Sequence, residues 1–229
     1  MQDQPTDFPA TQPDGSPLKR LTDVLLERRA TGEFTGEEVP QEYIDAILKF
    51  GAQAPSGYNL QPWRFVVVRD AEARARLQQA SFNQPKVGQA PVVIIAVGMK
   101  EEWKETADEI FQEGARRGAG NPDTVEQYKQ GALGFVSSFD PALWVNRHTM
   151  IAVTTMMLVA EAYGFDTAPM EGFDATAVKR EFGIPEEGEV VALLAIGRAK
   201  EPDKAYPGRF PLARIVSGER YGEAWEEKS

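Results

Sequence analysis

Residues 91–97 read Pro-Val-Val-Ile-Ile-Ala-Val, an apolar run with no polar interruption. Such a run, rich in β-branched residues, reads as a central strand covered on both faces. A second run of the same kind spans Val190 to Ile196, far downstream. Trp63 to Val68 adds a third candidate strand, built from β-branched and aromatic residues. Strands buried on both sides need helices above and below them. The chain is therefore expected to be an α+β protein of mixed α/β layers, with helices covering a sheet.

The intervening segments supply those helices. From Leu18 the spacing of Leu21, Val24, Leu25 and Arg28 predicts a first helix with one apolar face. Pro40 suits the first turn of a second helix, whose stripe is Ile44, Ile47 and Leu48 and which stops at Gly51. A short helix is expected over 71–80. Between the runs at 91–97 and 190–196 lies a long helical excursion. Its first part, 101–139, is amphipathic and interrupted by Gly114, Gly118 and Gly120. Its second part, 141–163, contains MIAVTTMMLVA. Asn146, Arg147, His148 and Glu161 make that helix a poor membrane span, so it is expected in the core or at a subunit interface. Residues 1–17 are polar and Pro-rich and read as a flexible N-terminal arm. Residues 18–229 read as a single domain.

Composition excludes several chemistries. Among 229 residues there is no cysteine and one histidine, His148, which removes disulfides, thiolate nucleophiles and Cys-ligated metals. No metal site is expected. The formal charge is -10, from 35 acidic against 25 basic residues, a surface that repels phosphate backbones. Nucleic acid is not an expected partner, nor is a membrane. No secretory signal is visible, so the cytoplasm is the expected location.

Five segments could carry chemistry. In Ala54–Phe65 (APSGYNLQPWRF), Pro55, Ser56 and Gly57 form a turn that exposes N–H groups, and Asn59 and Gln61 add amides before a buried strand. That can make a polar rim for a flat heteroaromatic ligand, and it can equally be an ordinary helix-to-strand connection. Arg28 and Arg29 can bind a phosphate or simply compensate the negative end of the first helix. Asn83 and Lys86, in FNQPK, can hydrogen-bond a carbonyl-rich ring edge or sit in a solvated loop. Asp174 is a plausible N-cap for a helix running to about Phe182, so the Glu171 and Gly172 backbone before it can face a ligand or merely start a capped helix. Arg209, in a Tyr206–Pro211 turn, is a second phosphate candidate or a surface arginine.

Taken in order, RRATGEF, APSGYNLQPWRF, FNQPK, PMEGFD and PGRF resemble the FMN-dependent nitroreductase family, especially its oxygen-insensitive type. The resemblance runs from about Leu21 to Pro211. It implies a nitroreductase-like fold, with a central, mainly antiparallel sheet covered by helices in a domain-entwined homodimer. It also implies FMN as cofactor, NAD(P)H as reductant and a small-molecule electron acceptor such as a nitroaromatic or quinone. Arg28, Arg29 and Arg209 would grip the FMN phosphate, and Ala30 would lie beside it. Pro55, Ser56, Gly57 and Asn59 would reach a flavin bound mainly by the other subunit. Asn83 and Lys86 would contact the pyrimidine edge, and Lys86 would stabilise charge there. Pro169 and Met170 would pack on one ring face, and the Glu171–Gly172 backbone would address N5, which puts Lys86, Glu171 and Gly172 at the chemistry. The excursion over 101–139 would form a flap, and residues 212–229 a C-terminal extension. Ala30 and Gly32 depart from the family, which often has a hydroxyl and a cation there. The family also spans other flavin reactions: reductive dehalogenation, reduction of activated alkenes or aldehydes, and flavin fragmentation. A strand–GxGxxG–helix unit is absent. Gly118-Ala119-Gly120 follows a helix, so the nicotinamide would share the flavin pocket.

Overall fold

A computed structural model describes residues 7–201 and 205–226. Its helices are α1 (Leu21–Glu27), α2 (Gln41–Gly51), α3 (Ala71–Ala80), α4 (Pro85–Gln89), α5 (Glu102–Arg116), α6 (Val125–Val136), α7 (Pro141–Ala162), α8 (Ala175–Phe182) and α9 (Leu212–Ile215). Its strands are β1 (Trp63–Val68), β2 (Val92–Met99), β3 (Asp166–Met170) and β4 (Gly188–Gly197).

The four strands form one antiparallel sheet in the order β1-β2-β4-β3. β2 and β4 are central, and every residue of β2 is buried, as the unbroken apolar run predicts. Alternation along β2 sorts its side chains onto the two faces. Val92, Ile94 and Ala96 pack with Ile44, Ile47, Val153 and Met156 from α2 and α7. Val93, Ile95 and Val97 pack with Leu77, Val87 and Val178 from α3, α4 and α8. The sheet thus lies between two helical layers. A third cluster joins α5 and α6 to the first half of α7, with Trp103 and Trp144 in ring contact at 5.2 Å.

Several elements differ from or add to the sequence expectation. β3 was not among the expected strands. It lies at a sheet edge, where its Pro169 is tolerated. FNQPK, for which a solvated loop was one of two readings, opens α4, with Pro85 in its first turn and no N–H to lose there. α1 buries Val24 alone, leaving Leu21, Leu25 and Leu26 exposed in the single chain. Residues 212–215 form a helical turn.

The described part of the segment read as a flexible arm is docked. Phe8 stacks on Phe50 at 4.0 Å. The Tyr43 and Tyr163 hydroxyls donate to the carbonyls of Thr11 and Pro9 at 3.1 and 3.3 Å. Residues 1–6 lie outside the described residues. Among the described residues no helix is long and apolar enough to cross a membrane, and no acidic or histidine cluster could hold a metal ion.

Candidate functional site

The candidate residues fall into two groups at opposite edges of the sheet. The first surrounds β3. Arg28 closes α1, its N–H bonding to the Val24 carbonyl, and the chain then runs beside β3. Ala30 bridges Thr167, and the Thr31 N–H donates to the Thr167 carbonyl at 3.0 Å. Arg29 is held in place by donating Nη1 to the carbonyls of Leu26 and Arg28, at 2.7 and 2.9 Å. Its guanidinium lies 5.1 Å from the ring centre of Tyr206. Arg209 lies over the same ring at 5.7 Å. Two cations far apart in sequence are therefore brought to one aromatic ring. The Arg29 Nε is buried with no hydrogen-bond partner among the described residues.

Beyond β3 the chain turns through Glu171 and Gly172 into α8. Asp174 caps that helix by accepting the Ala177 N–H at 3.1 Å, as its position before a helical stripe predicts. The Asp174 N–H donates to the Ala80 carbonyl at 2.8 Å, and the Gln84 amide donates to the Gly172 carbonyl at 2.6 Å. These bonds bind the loop carrying Asn83 and Lys86 to the Glu171–Gly172 turn. Phe82 and Asn83 both take positive φ, 52° and 56°, an arrangement disfavoured outside glycine and asparagine. Strand alternation separates Pro169 from Met170. Met170 is 4% exposed in the α3/α4/α8 core, whereas Pro169 is only partly buried on the opposite face.

The second group precedes β1. Ser56 Oγ accepts the Gln61 N–H at 3.0 Å, and the Asn59 N–H donates to the Ser56 carbonyl at 3.0 Å. Tyr58, Asn59 and Gln61 all have positive φ, which folds this loop tightly. A side chain at Gly57 would lie 3.4 Å from both Trp144 and His148. His148 stacks edge-on to Trp144 at 4.5 Å, and burial, then the charge of Arg147, holds its pKa below the usual value. It supports the loop from beneath, in keeping with a structural role.

β1 and β3 are the outer strands, so three strand spacings, about 14 Å, separate the edges that carry the two groups. One chain brings together Arg28, Arg29, Ala30, Asn83, Lys86, Glu171, Gly172 and Arg209 along the β3 edge. It holds Pro55, Ser56, Gly57 and Asn59 at the other. A cavity of about 460 Å³ opens on that second edge, between α5, α6 and the Tyr58–Asn59 loop. Ile110, Phe111, Val125 and Tyr128 line it beside Asn59, Asn121 and Thr124, with no charged side chain. The Tyr58 ring meets those of Tyr128 and Phe135 edge-on at 6.0 and 6.3 Å.

Sequence reasoning did not single out Tyr206, Gln84 or Tyr58. Each lies inside a quoted segment, but their roles depend on contacts with distant residues. Of the aromatic residues in 101–139, Phe111 and Tyr128 line the cavity, Phe135 reaches Tyr58, and Trp103 belongs to the cluster that joins α5 and α6 to α7.

Comparison with known proteins gives the family. Residues 25–198 match the model of the nitroreductase family. An NADH dehydrogenase of Thermus thermophilus is 33% identical over 201 residues, 87% of this chain and 96% of that protein. An oxygen-insensitive NAD(P)H nitroreductase of Salmonella typhimurium is 29% identical, over 85% of this chain and 95% of that one. A nitroreductase-type protein of Exiguobacterium sibiricum, solved in complex with FMN, is 25% identical and superposes with a TM-score of 0.79, covering 88% of this chain and 98% of that one. With a family model matched over residues 25–198 and relatives aligned over most of its length, the chain belongs to the nitroreductase family.

Proposed function

We propose that the protein is an FMN-dependent oxidoreductase that passes a hydride from NADH or NADPH to an electron-poor acceptor such as a nitroaromatic or quinone. The carrying observation is the meeting of Arg29 and Arg209 on Tyr206, with the buried Arg29 Nε left unpartnered. A buried guanidinium donor without an acceptor is costly, and an anionic phosphate supplies the missing acceptor in a charge-assisted bond. The residues present therefore fit the FMN phosphate, even without the hydroxyl and cation replaced at Ala30 and Gly32. When bound, FMN supplies hydride transfer at N5.

The chain's own groups supply position and charge. Lys86, partly buried on α4, would stabilise negative charge at the pyrimidine edge. The Gly172 N–H, which has no internal partner among the described residues, would donate toward N5. Because Ser56, Gly57 and Asn59 lie across the sheet, they would serve the flavin of a second copy. That makes the homodimer part of the site. The cavity under the flap is aromatic and uncharged, which suits flat neutral acceptors. The cytoplasm, where nicotinamide donors are available, is the location that this reading implies.

The test is an absorption spectrum of the purified protein, then anaerobic addition of NADH and NADPH. A flavin spectrum that bleaches with either donor supports the proposal. Bound flavin that refuses to bleach would make this an FMN storage or sensing protein. Absence of flavin after incubation with FMN would remove the reading.

A further inference from the structure

Gln84 stands between Asn83 and Lys86 in sequence, yet its side chain reaches Gly172, 88 positions away. Its Nε2 donates to the Gly172 carbonyl at 2.6 Å. Four further contacts give that bond its meaning. The Phe173 N–H donates to the Glu171 carbonyl at 3.1 Å, so both peptide planes flanking Gly172 are pinned. The Asp174 N–H donates to the Ala80 carbonyl at 2.8 Å, closing the far end of the same two loops. At the near end, the Asn83 N–H donates to the Gln78 carbonyl and the Gln84 N–H to the Ser81 carbonyl, at 2.9 and 3.1 Å. Gln84 is therefore anchored to the end of α3 while its amide holds the turn after β3.

A planar trans peptide leaves one direction for the Gly172 N–H, opposite the Glu171 carbonyl that Phe173 occupies. Glycine alone would let this N–H wander, since it carries the least conformational restriction of any residue. The Gln84 amide removes that freedom. A Cβ on Gly172 would lie 3.0 Å from Gln84 Nε2, so a side chain there would press on the amide that makes this bond.

From this juxtaposition we infer that Gln84 is a positioning residue, whose amide fixes the Gly172 N–H relative to Asn83 and Lys86 so that the three address one flavin together. The inference rests on the FMN reading above. Gln84 itself need not touch the cofactor. It acts through the peptide it holds, and its effect is on how well a donor prearranged for N5 stays aimed.

The test uses the full-length protein and two variants. Gln84→Leu keeps the shape and removes the donor. Gln84→Glu at pH 8 keeps the shape and substitutes an acceptor. Two readouts are taken: amide hydrogen exchange over 171–174 without FMN, and the midpoint potential of bound FMN. In both variants the Phe173 amide should exchange about tenfold faster, as expected for the loss of one neutral hydrogen bond. The potential should shift while the FMN dissociation constant changes less than about threefold, because the phosphate contacts are untouched. Parent-like exchange, or a parent-like potential in Gln84→Leu, overturns the positioning role and leaves the FMN reading standing. A parent that binds no FMN overturns both. If Gln84→Leu alone is perturbed, an intruding apolar group is responsible and the inference falls.

Discussion

Arg29 shows how a site is assembled from individually ambiguous residues. Beside a helix end, a pair of arginines needs no ligand to explain it. The ring of Tyr206 changes that, because both Arg29 and Arg209 lie close to it, at 5.1 and 5.7 Å, and the buried Arg29 Nε has no partner among the described residues. Arg209→Ala should lower FMN affinity by roughly 10- to 150-fold, the range for one hydrogen bond to a charged group. Fluorescence titration of the apoprotein checks this, and unaltered affinity would exclude Arg209 from the site. Lys86→Ala should retain FMN and slow its reduction by NAD(P)H. Reduction traces that match the parent in rapid mixing would sink that role. Deeper in the fold, Met156 is fully buried between α2 and the sheet and sits against Gly51. Met156→Ala should cost about 2–5 kcal/mol, read as a lowered midpoint in urea unfolding.

At the scale of elements, the flap over 101–139 is held by charge as well as by its aromatic core. Lys129 on α6 reaches Asp108 on α5 at 2.6 Å and Glu126 at 2.7 Å. Hydrogen bonds donated to these carboxylates raise the Lys129 pKa, and the Lys129 ammonium lowers that of Asp108. At the end of α5, hydrogen bonds from Arg117 and then Arg116 bring the Glu113 pKa down from 4.5 to about 2. A depressed carboxylate pKa stabilises the folded state above its unfolded value and loses that contribution as pH falls. The flap of the parent should therefore loosen between about pH 4.5 and about pH 2, the limits set by Glu113. Glu113→Gln should lack that transition and be looser already at neutral pH. Acid titrations of tryptophan fluorescence, reporting Trp103 and Trp144, would coincide for the two proteins if Glu113 were not the titrating group.

On the scale of the whole molecule, large apolar residues stand exposed on several elements. Among them are Leu21, Leu25 and Leu26 on α1, Leu143 and Ile151 on α7, and Leu212, Ile215 and Trp225 within residues 212–225. On the FMN reading, in which a second copy completes the site, that copy would cover part of this apolar surface. A chain ending at Pro211 should elute from size exclusion at lower mass than the full protein and should bind FMN more weakly. Equal elution and equal affinity would separate the C-terminal extension from both roles.

Much of the layer plan was legible from residues alone, because burial on both faces forces an unbroken apolar strand. β1 has the predicted bounds, and α3 covers 71–80 as read. Periodicity likewise located α2 and α7, and the capping preference of aspartate marked the start of α8. β3 was hidden because its proline argues against a strand, and only pairing with β4 makes one of it. The same limit applies at the candidate site. Ordered motifs identified Arg28, Arg29, Ser56, Asn83, Lys86, Gly172 and Arg209 as a set, through resemblance and not through spacing. Which of them share an edge, that Tyr206 joins two arginines, that Met170 turns inward and that Gln84 holds Gly172 were decided by tertiary structure. Local preference acts over a few residues, whereas these contacts link segments brought together only when the sheet closes its order β1-β2-β4-β3.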